Sequence, residues 1–390
     1  MKILQIHNYY DRKSPSGENI VVDMEKNLLT NSGYQVESLY VYNDNFNTLP
    51  LPQKIKSSSN WLGLGINKSS FKDKVNQYAP DLVHIHNTFP LLGIDLFEAV
   101  RSIPSVFTVH NYRWSCVNGL NLKKGKLCDS CNKSNLNILE PTINKCYRNS
   151  YLQSLFASAG LSRLRAKGYI NTISHFIVLT SFQKKYLMQL GIAEKKITVK
   201  PNPYVENYLN KYNDKSKEVV FVGRLSSEKG ILELLHVWKS LNLPEWTLKI
   251  IGSGPLDEVI SMHKNDPSIN ILGKISHDKV ISEIRSASFI VVPSLWYEGY
   301  PMVIREAIAS GIPCLVSEIG STREAVDHTI AMTFNPNNFE DFCEKLLTMM
   351  HKKNQRNSFS VQTKVFFDKF LEKQNNMRLL EEVYQKAINA

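Results

Sequence analysis

Residues 291–316 read VVPSLWYEGYPMVIREAIASGIPCLV. Ile290 to Val292 is a short, apolar, β-branched run closed by Pro293 and Ser294, the pattern of a buried strand. Pro301 suits a first helical turn, where the amide it lacks would be unpaired in any case. The helix is expected to run to about Ser310. Gly311 can take the left-handed position at its end, and Pro313 prevents continuation. The unit is therefore strand, loop, helix, strand. Two carboxylates stand in it, Glu298 in the loop and Glu306 on the helix, and a plain strand–helix unit needs neither.

Moving upstream, the same alternation recurs. Strand patterns lie at Glu218–Val222, Thr247–Ile251, Ile269–Leu272 and Ser288–Val292, and downstream at Cys314–Ser317 and Ala331–Phe334, with helices between them. Such repeats imply a parallel sheet with right-handed crossovers. In VGRLSSEKG, residues 222–230, Arg224 leaves a strand end and Lys229 stands beside a helix start. Two fixed cations with free helix amides make a diphosphate site; two solvated surface cations are the plainer alternative. A carboxylate at Glu306 can accept both hydroxyl hydrogens of a ribose, and one at Glu298 suits the hydroxyls of a sugar.

The front of the chain repeats the theme. Lys2 to His7 reads as a strand, followed by the loop 8–17 (NYYDRKSPSG), a helix from about Asn19 to Asn31, and a strand from Gln35 to Val41. Gly17 lets backbone approach a ligand closely at that sheet edge, or simply makes a tight turn. DLVHIH ends in His86-Asn87 and SVFTV in His110-Asn111, so two strands deliver a histidine to one edge. His84 fits a structural role. KPNPY, residues 200–204, and the polar residues to Lys217 read as a linker.

Length and charge narrow the class. At 390 residues two domains are the default. The formal charge of +11 admits nucleic acid, anionic lipid or phosphorylated substrates. No helix-turn-helix, zinc-finger helix or RNA-binding aromatic motif is present, so nucleic acid is not the expected partner. No apolar run approaches the ~20 residues of a membrane span, and MKILQIHNYY lacks a signal-peptide core, so the expected location is the cytoplasm.

Four of the six cysteines, Cys116, Cys128, Cys131 and Cys146, fall in one polar, basic segment. Cys128 and Cys131 have CxxC spacing. Two readings stay open, a structural zinc and free cytosolic thiols. Residues 147–170 mix Arg148, Arg163, Arg165 and Lys167 with aromatic and aliphatic residues. That is either a helix packed on the sheet with a solvated basic face, or a contact with anionic headgroups on the inner face of the plasma membrane.

These motifs resemble those of the retaining GT-B glycosyltransferases of family 4. EGYPMVIRE carries that family's two glutamates at Glu298 and Glu306, FVGRLSSEKG its phosphate-binding segment, and PSLWYEG and GIP flank the acids. SGE at 16–18 resembles its glycine loop, with Ser16 in place of the first glycine. HNYRWSCVNG, the CxxC and Cys146 resemble a bacterial subgroup that builds capsule, O-antigen or exopolysaccharide. The resemblance implies an α/β fold of two Rossmann-like domains facing each other across a cleft. Residues 1–203 would bind acceptor, with 116–146 as a Cys-rich insertion. Residues 204–365 would bind the nucleotide sugar, and 366–390 would be a terminal helix crossing back to the first domain.

The resemblance also implies roles. Arg224 and Lys229 hold the diphosphate of a UDP- or GDP-sugar, and Glu306 the ribose. Glu298 and the Gly299-Tyr300-Pro301 turn meet the sugar. Gly17 contacts the donor, and the base stacks near Gly273, Lys274 and Ile275. His110 lies by the reacting carbon. The leaving phosphate accepts the acceptor's proton, so no enzyme nucleophile, cofactor or catalytic metal is needed. The acceptor would be a glycan or a polyprenyl-diphosphate-linked saccharide. A sugar-nucleotide 2-epimerase and a silent sugar-nucleotide-binding protein are the alternatives.

Overall fold

The computed structural model describes residues 1–9, 17–43, 49, 50, 52, 53, 59, 61–64, 68–123, 125–132, 138–204, 216–370 and 372–390. Ser16 and most of the loop before Gly17, and nearly all of the linker after Tyr204, lie outside them. The chain divides into two units. One comprises Met1–Lys123, Cys128–Pro203 and Gln374–Ala390, the other Lys124–Leu127 and Tyr204–Lys373.

The first unit is built on β1 (Lys2–Tyr9), β2 (Gln35–Tyr42), β3 (Leu82–Asn87), β4 (Ser105–Val109), β7 (His175–Val178) and β8 (Ile197–Val199); β5 (Leu122–Lys123) pairs with β6 (Lys126–Leu127) in a separate short two-stranded sheet. Its main sheet has the order β2-β1-β3-β4-β7-β8. The pairings described are parallel, as the strand–helix alternation requires. Central strands are buried on both faces, so they read as near-continuous apolar runs.

Helix Gly17–Asn31 covers one face of that sheet with Val21, Val22, Leu28 and Leu29. The terminal helix Lys373–Ile388 shares this core. Its Met377, Leu380, Val383, Tyr384 and Ala387 follow helical spacing and cluster with Ile3, Leu28, Leu29, Leu82, Val106 and Ile177. Polar contacts fix its register: Tyr34 Oη donates to Glu381 at 2.9 Å, and Asn376 Nδ2 donates to the Pro201 carbonyl at 2.7 Å.

The second unit contains β9 (Glu218–Val222), β10 (Thr247–Ile251), β11 (Ile269–Gly273), β12 (Phe289–Val292), β13 (Cys314–Ser317) and β14 (Ala331–Phe334). The order is β11-β10-β9-β12-β13-β14, again parallel. The order reverses at β9, where the chain steps from one side of the sheet to the other. Open α/β sheets bind ligands at the carboxyl ends flanking such a reversal. The helix after β12 starts at Met302, with Pro301 as its extended flanking residue, one position later than the proline suggested.

Candidate active site

In the second unit the two acids and the strand-end cations converge. Lys229 closes a short turn before helix Ile231–Leu241, and Gly230 between them has φ +69. A Cβ on Gly230 would lie 1.8 Å from the Pro293 carbonyl oxygen, so only glycine lets the β9 loop press on the end of β12. Leu295 N donates to Glu228 O at 2.9 Å and ties the same two loops together. Across this junction Lys229 Nζ donates to Glu298 Oε1 at 2.6 Å, and Ser294 Oγ donates to the same oxygen at 2.6 Å. The carboxylate is buried, while the ammonium is about a quarter exposed and also stands 5.5 Å from the centre of the Trp296 ring. The arrangement presents one oriented positive charge, backed by a fixed anion.

Arg224 follows Gly223 at the end of β9 and is exposed. Gly223, Gly252 and Gly273 align along the carboxyl edge of β9, β10 and β11: Gly223 N donates to Ile251 O at 3.0 Å, and Gly252 N to Gly273 O at 2.9 Å. A Cβ on Gly252 would meet Gly223 O at 1.9 Å. The edge is thus a shelf of bare backbone. Nothing lies within 4 Å of where a Gly273 Cβ would stand, which leaves room over the shelf beside exposed Lys274 and half-buried Ile275.

Glu306 is buried on helix Met302–Ala309, with Oε1 3.9 Å from His277 Nδ1. Burial raises its pKa, and the charges of His277 and Arg305 oppose that. Arg305 is wholly buried, its pKa brought down to about 10 by burial, with the Tyr300, Glu306 and Tyr204 charges acting against it. The sequence reading passed over Arg305; a cation between Ile304 and Ala307 on a buried face was the available signal. The Tyr300 hydroxyl donates to Ala325 O at 3.3 Å, inside the protein. Of the Gly299-Tyr300-Pro301 turn, Tyr300 therefore has only its backbone to offer a ligand.

The first unit gathers a different set. His110, one residue past β4, places Nε2 3.0 Å from His86 Nδ1, and the rings stack with centroids 5.3 Å apart. His86 Nε2 lies 3.6 Å from Glu25 Oε2, whose other oxygen accepts from Lys200 Nζ at 2.5 Å. Glu25, His86 and Lys200 are all buried. His84, two residues from His86 and so on the same face, bonds Thr108 and Tyr384 at 2.8 Å each, a structural role. Burial, with the charges of neighbouring His84, His110, His7 and Lys200, holds the His86 pKa well below its usual value.

Beside this chain of contacts, Gly17 opens helix Gly17–Asn31, and Asn19 bonds His7 Nε2 at 3.0 Å. Glu18 faces Asn111 and Arg113, yet burial still pushes its carboxyl up to about 8. His86, His110, Asn111 and Arg113 line one side of a recess whose other walls include Trp61, Phe89, Trp114 and Leu161.

The four cysteines lie in one module of the first unit, all free and partly covered. Their charges oppose one another's ionisation: burial lifts Cys131 to about 12, and Cys116, Cys146 and Cys128 add to it. Among the described residues, however, no three of these sulfurs come within 4.8 Å of one another. The group that does meet that distance is Glu25, His84 and His86. In helix Tyr151–Ala166, Arg165 turns inward, donating from Nε to Trp114 O at 3.0 Å and from Nη1 to Cys131 O at 3.1 Å. Leu161, Leu164 and Tyr169 are core residues. The exposed apolar side chains of this region lie earlier, at Leu139, Ile143, Tyr151, Leu152 and Leu155. No helix among the described residues is long and apolar enough to cross a membrane.

Comparison with known proteins follows this division. Residues 52–205 match the profile "Glycosyltransferase Family 4", and residues 208–366 match "Glycosyl transferases group 1". An uncharacterized glycosyltransferase of Methanocaldococcus jannaschii, MJ1178, is 29% identical over 50% of this chain and 61% of its own. The amylovoran biosynthesis glycosyltransferase AmsD of Erwinia amylovora is 32% identical over 40% of this chain and 47% of its own. The chain thus spans about half the length of these curated relatives. The crystal structure of Anabaena Alr3699/HepE in complex with UDP-glucose superposes with a TM-score of 0.65 at 16% identity, covering 99% of this chain and 100% of that one. The shared architecture is the GT-B fold of two Rossmann-like domains.

Proposed function

We infer, for a chain built from a family 4 glycosyltransferase domain followed by a group 1 glycosyltransferase domain, that it transfers a sugar from a nucleoside diphosphate donor with retention of configuration. The observation that carries this reading is the Lys229–Glu298 pair, seated where two strand-end loops lock together through Gly230 and Pro293. A diphosphate supplies an anion for exposed Arg224 and for the part of the Lys229 ammonium that Glu298 leaves open to solvent. The glycine shelf at Gly223, Gly252 and Gly273 admits a flat base. Glu306 receives the ribose hydroxyls. Its raised pKa suits a group that becomes fully ionised when two hydroxyl donors reach it. Glu298, fixed by Lys229 and Ser294, is the acid we assign to the donor sugar's hydroxyls.

His110, anchored by His86, is the group we assign to the reacting sugar. It hydrogen-bonds a hydroxyl and stabilises positive charge as the diphosphate leaves. The diphosphate accepts the incoming hydroxyl's proton, and neither a nucleophile nor a metal takes part. A HepE structure containing UDP-glucose supports UDP-sugars as the first donors to try, ahead of GDP-sugars. The relation to an amylovoran enzyme supports a glycan or polyprenyl-diphosphate-linked acceptor in bacterial surface polysaccharide synthesis. Membrane contact, in this reading, falls to 139–155 rather than to the whole of 147–170. Leu139 and Leu152 are 74% and 79% exposed, and Lys145 and Arg148 stand among them, a pattern suited to anionic headgroups.

Proton NMR of the product from a UDP-sugar panel with polyprenyl-diphosphate saccharides tests the reading. Transfer with an unchanged anomeric configuration, undiminished by EDTA, is expected. Epimerised donor in the absence of acceptor, or an inverted product, overturns it.

A further inference from the structure

We propose that Cys116, Cys128, Cys131 and Cys146 are a tetrathiolate site for zinc, which fastens the module after β4 into the first unit. Among its described residues the module has little regular structure to hold itself: a hairpin of two-residue strands, a three-residue turn at Ser130–Asn132 and the five-residue helix Leu139–Ile143. A structural metal is the usual remedy for such a segment. Three of the cysteines are held by backbone hydrogen bonds of their turns. Cys116 N donates to Tyr112 O at 2.8 Å, Cys128 N to Asn121 O at 2.7 Å, and Cys146 N to Pro141 O at 3.0 Å.

Without a metal, burial holds the Cys116, Cys131 and Cys146 sulfurs protonated, so it is a bound dication that would supply the charge the thiolates need. Backbone amides of Asn121, Asn118, Gly119 and Leu120 surround the Cys116 sulfur, which donates to Asn118 Oδ1 at 2.9 Å, so the turn holds that sulfur in a fixed place. The turn needs Gly119, which has φ +75 and would otherwise bring a Cβ within 2.8 Å of the Arg113 side chain. Four thiolates around a divalent ion carry a net charge of about −2. Two cations lie near enough to offset part of it, although Lys123 also pairs with Glu140 at 3.2 Å. Arg165 acts on Cys131 and Cys116, and Lys123 on Cys128 and Cys146. Ligation replaces four S–H bonds with four metal–sulfur bonds and releases the protons to solvent.

Sulfurs around tetrahedral zinc stand about 3.8 Å apart, closer than any three of these do here. Loading therefore draws the turns inward. The tighter group of Glu25, His84 and His86 is no competitor, because the Lys200 ammonium 2.5 Å from Glu25 already supplies its cation.

The site is tested on the full chain, purified without a polyhistidine tag, by elemental analysis and thiol titration. About one zinc per chain, released as a mercurial titrates these thiols, is expected; Cys128→Ser with Cys131→Ser loses it and Cys343→Ser keeps it. Less than about a tenth of an equivalent, before and after reconstitution with zinc chloride, overturns the proposal. So does metal retained by the double variant, or a disulfide among the four in freshly purified protein. Should the double variant fail to fold, the wild-type metal content and its release by the mercurial decide alone. None of these readouts depends on sugar transfer.

Discussion

The two halves of this chain assemble polar residues in opposite ways. In the second unit most contributors sit in loops that leave the carboxyl ends of strands, Arg224 and Lys229 after β9, Gly273 at the end of β11 and Glu298 after β12, and Glu306 follows on the next helix. In the first unit the partners come from β1, a helix interior, β3, the end of β4 and the stretch after β8, and meet only when the sheet is complete. Contiguous loops yield short motifs. Tertiary convergence yields scattered residues with no shared spacing. The first kind of site tolerates loss of one member as a local defect, whereas the second couples each member to the stability of the whole sheet.

Acid should separate the halves most. Burial depresses His7, His84 and His175 of the first unit to about 4. Their unfolded forms take up protons near 6.5 while the folded forms resist, so stability is lost as pH falls from 6.5 toward 4. The loss is roughly 3 kcal/mol for each ring by pH 4. Glu18, raised to about 8, works in the other direction and loses stability as pH rises from about 4.5 to 8, so it offsets part of one ring. Of the second unit's histidines a lowering is resolved at His263, and hydrogen bonds from Ser268 and Thr329 lower the carboxyls of Asp266 and Asp327. Hydrogen exchange at pH 4.5 is expected to open the first sheet before the second; simultaneous opening would break the contrast.

Next in size is Glu25→Gln, which strands the buried Lys200 ammonium. It should cost about 3–5 kcal/mol in urea unfolding, and Glu25→Leu with Lys200→Met should recover most of that. A loss under about 1 kcal/mol would mean the pair is solvated. His110→Ala should then lower kcat about a hundredfold with donor KM changed less than about threefold, in steady-state assays. His86→Leu should lower kcat about tenfold, since it removes the anchor but keeps the ring. Equal effects on kcat and KM would make both residues merely structural.

Much of the fold was legible because its parallel sheets bury strands on both faces, which writes apolar runs into the sequence, and because Gly311 and Pro313 punctuate a helix end. The acids at 298 and 306 stood out as charges that local structure did not require. What escaped was the Lys200–Glu25–His86 chain. Glu25 shares a buried helix face with Val21, Leu28 and Leu29, and an acid at that spacing was a usable clue. Lys200 gave none, since a lysine before a proline reads as surface. Arg165 was taken for part of a basic face, because nothing in its own segment announces that two carbonyls, at Trp114 and Cys131, await it.

The central claim is that a nucleoside diphosphate is held by the loops after β9 and β12. Isothermal titration of UDP and GDP into wild type, Lys229→Ala and Glu306→Ala measures it directly. Losing a charge-assisted contact should weaken binding about ten- to a hundredfold in each variant, with the folded state intact by circular dichroism. Unchanged affinity in both would contradict the account.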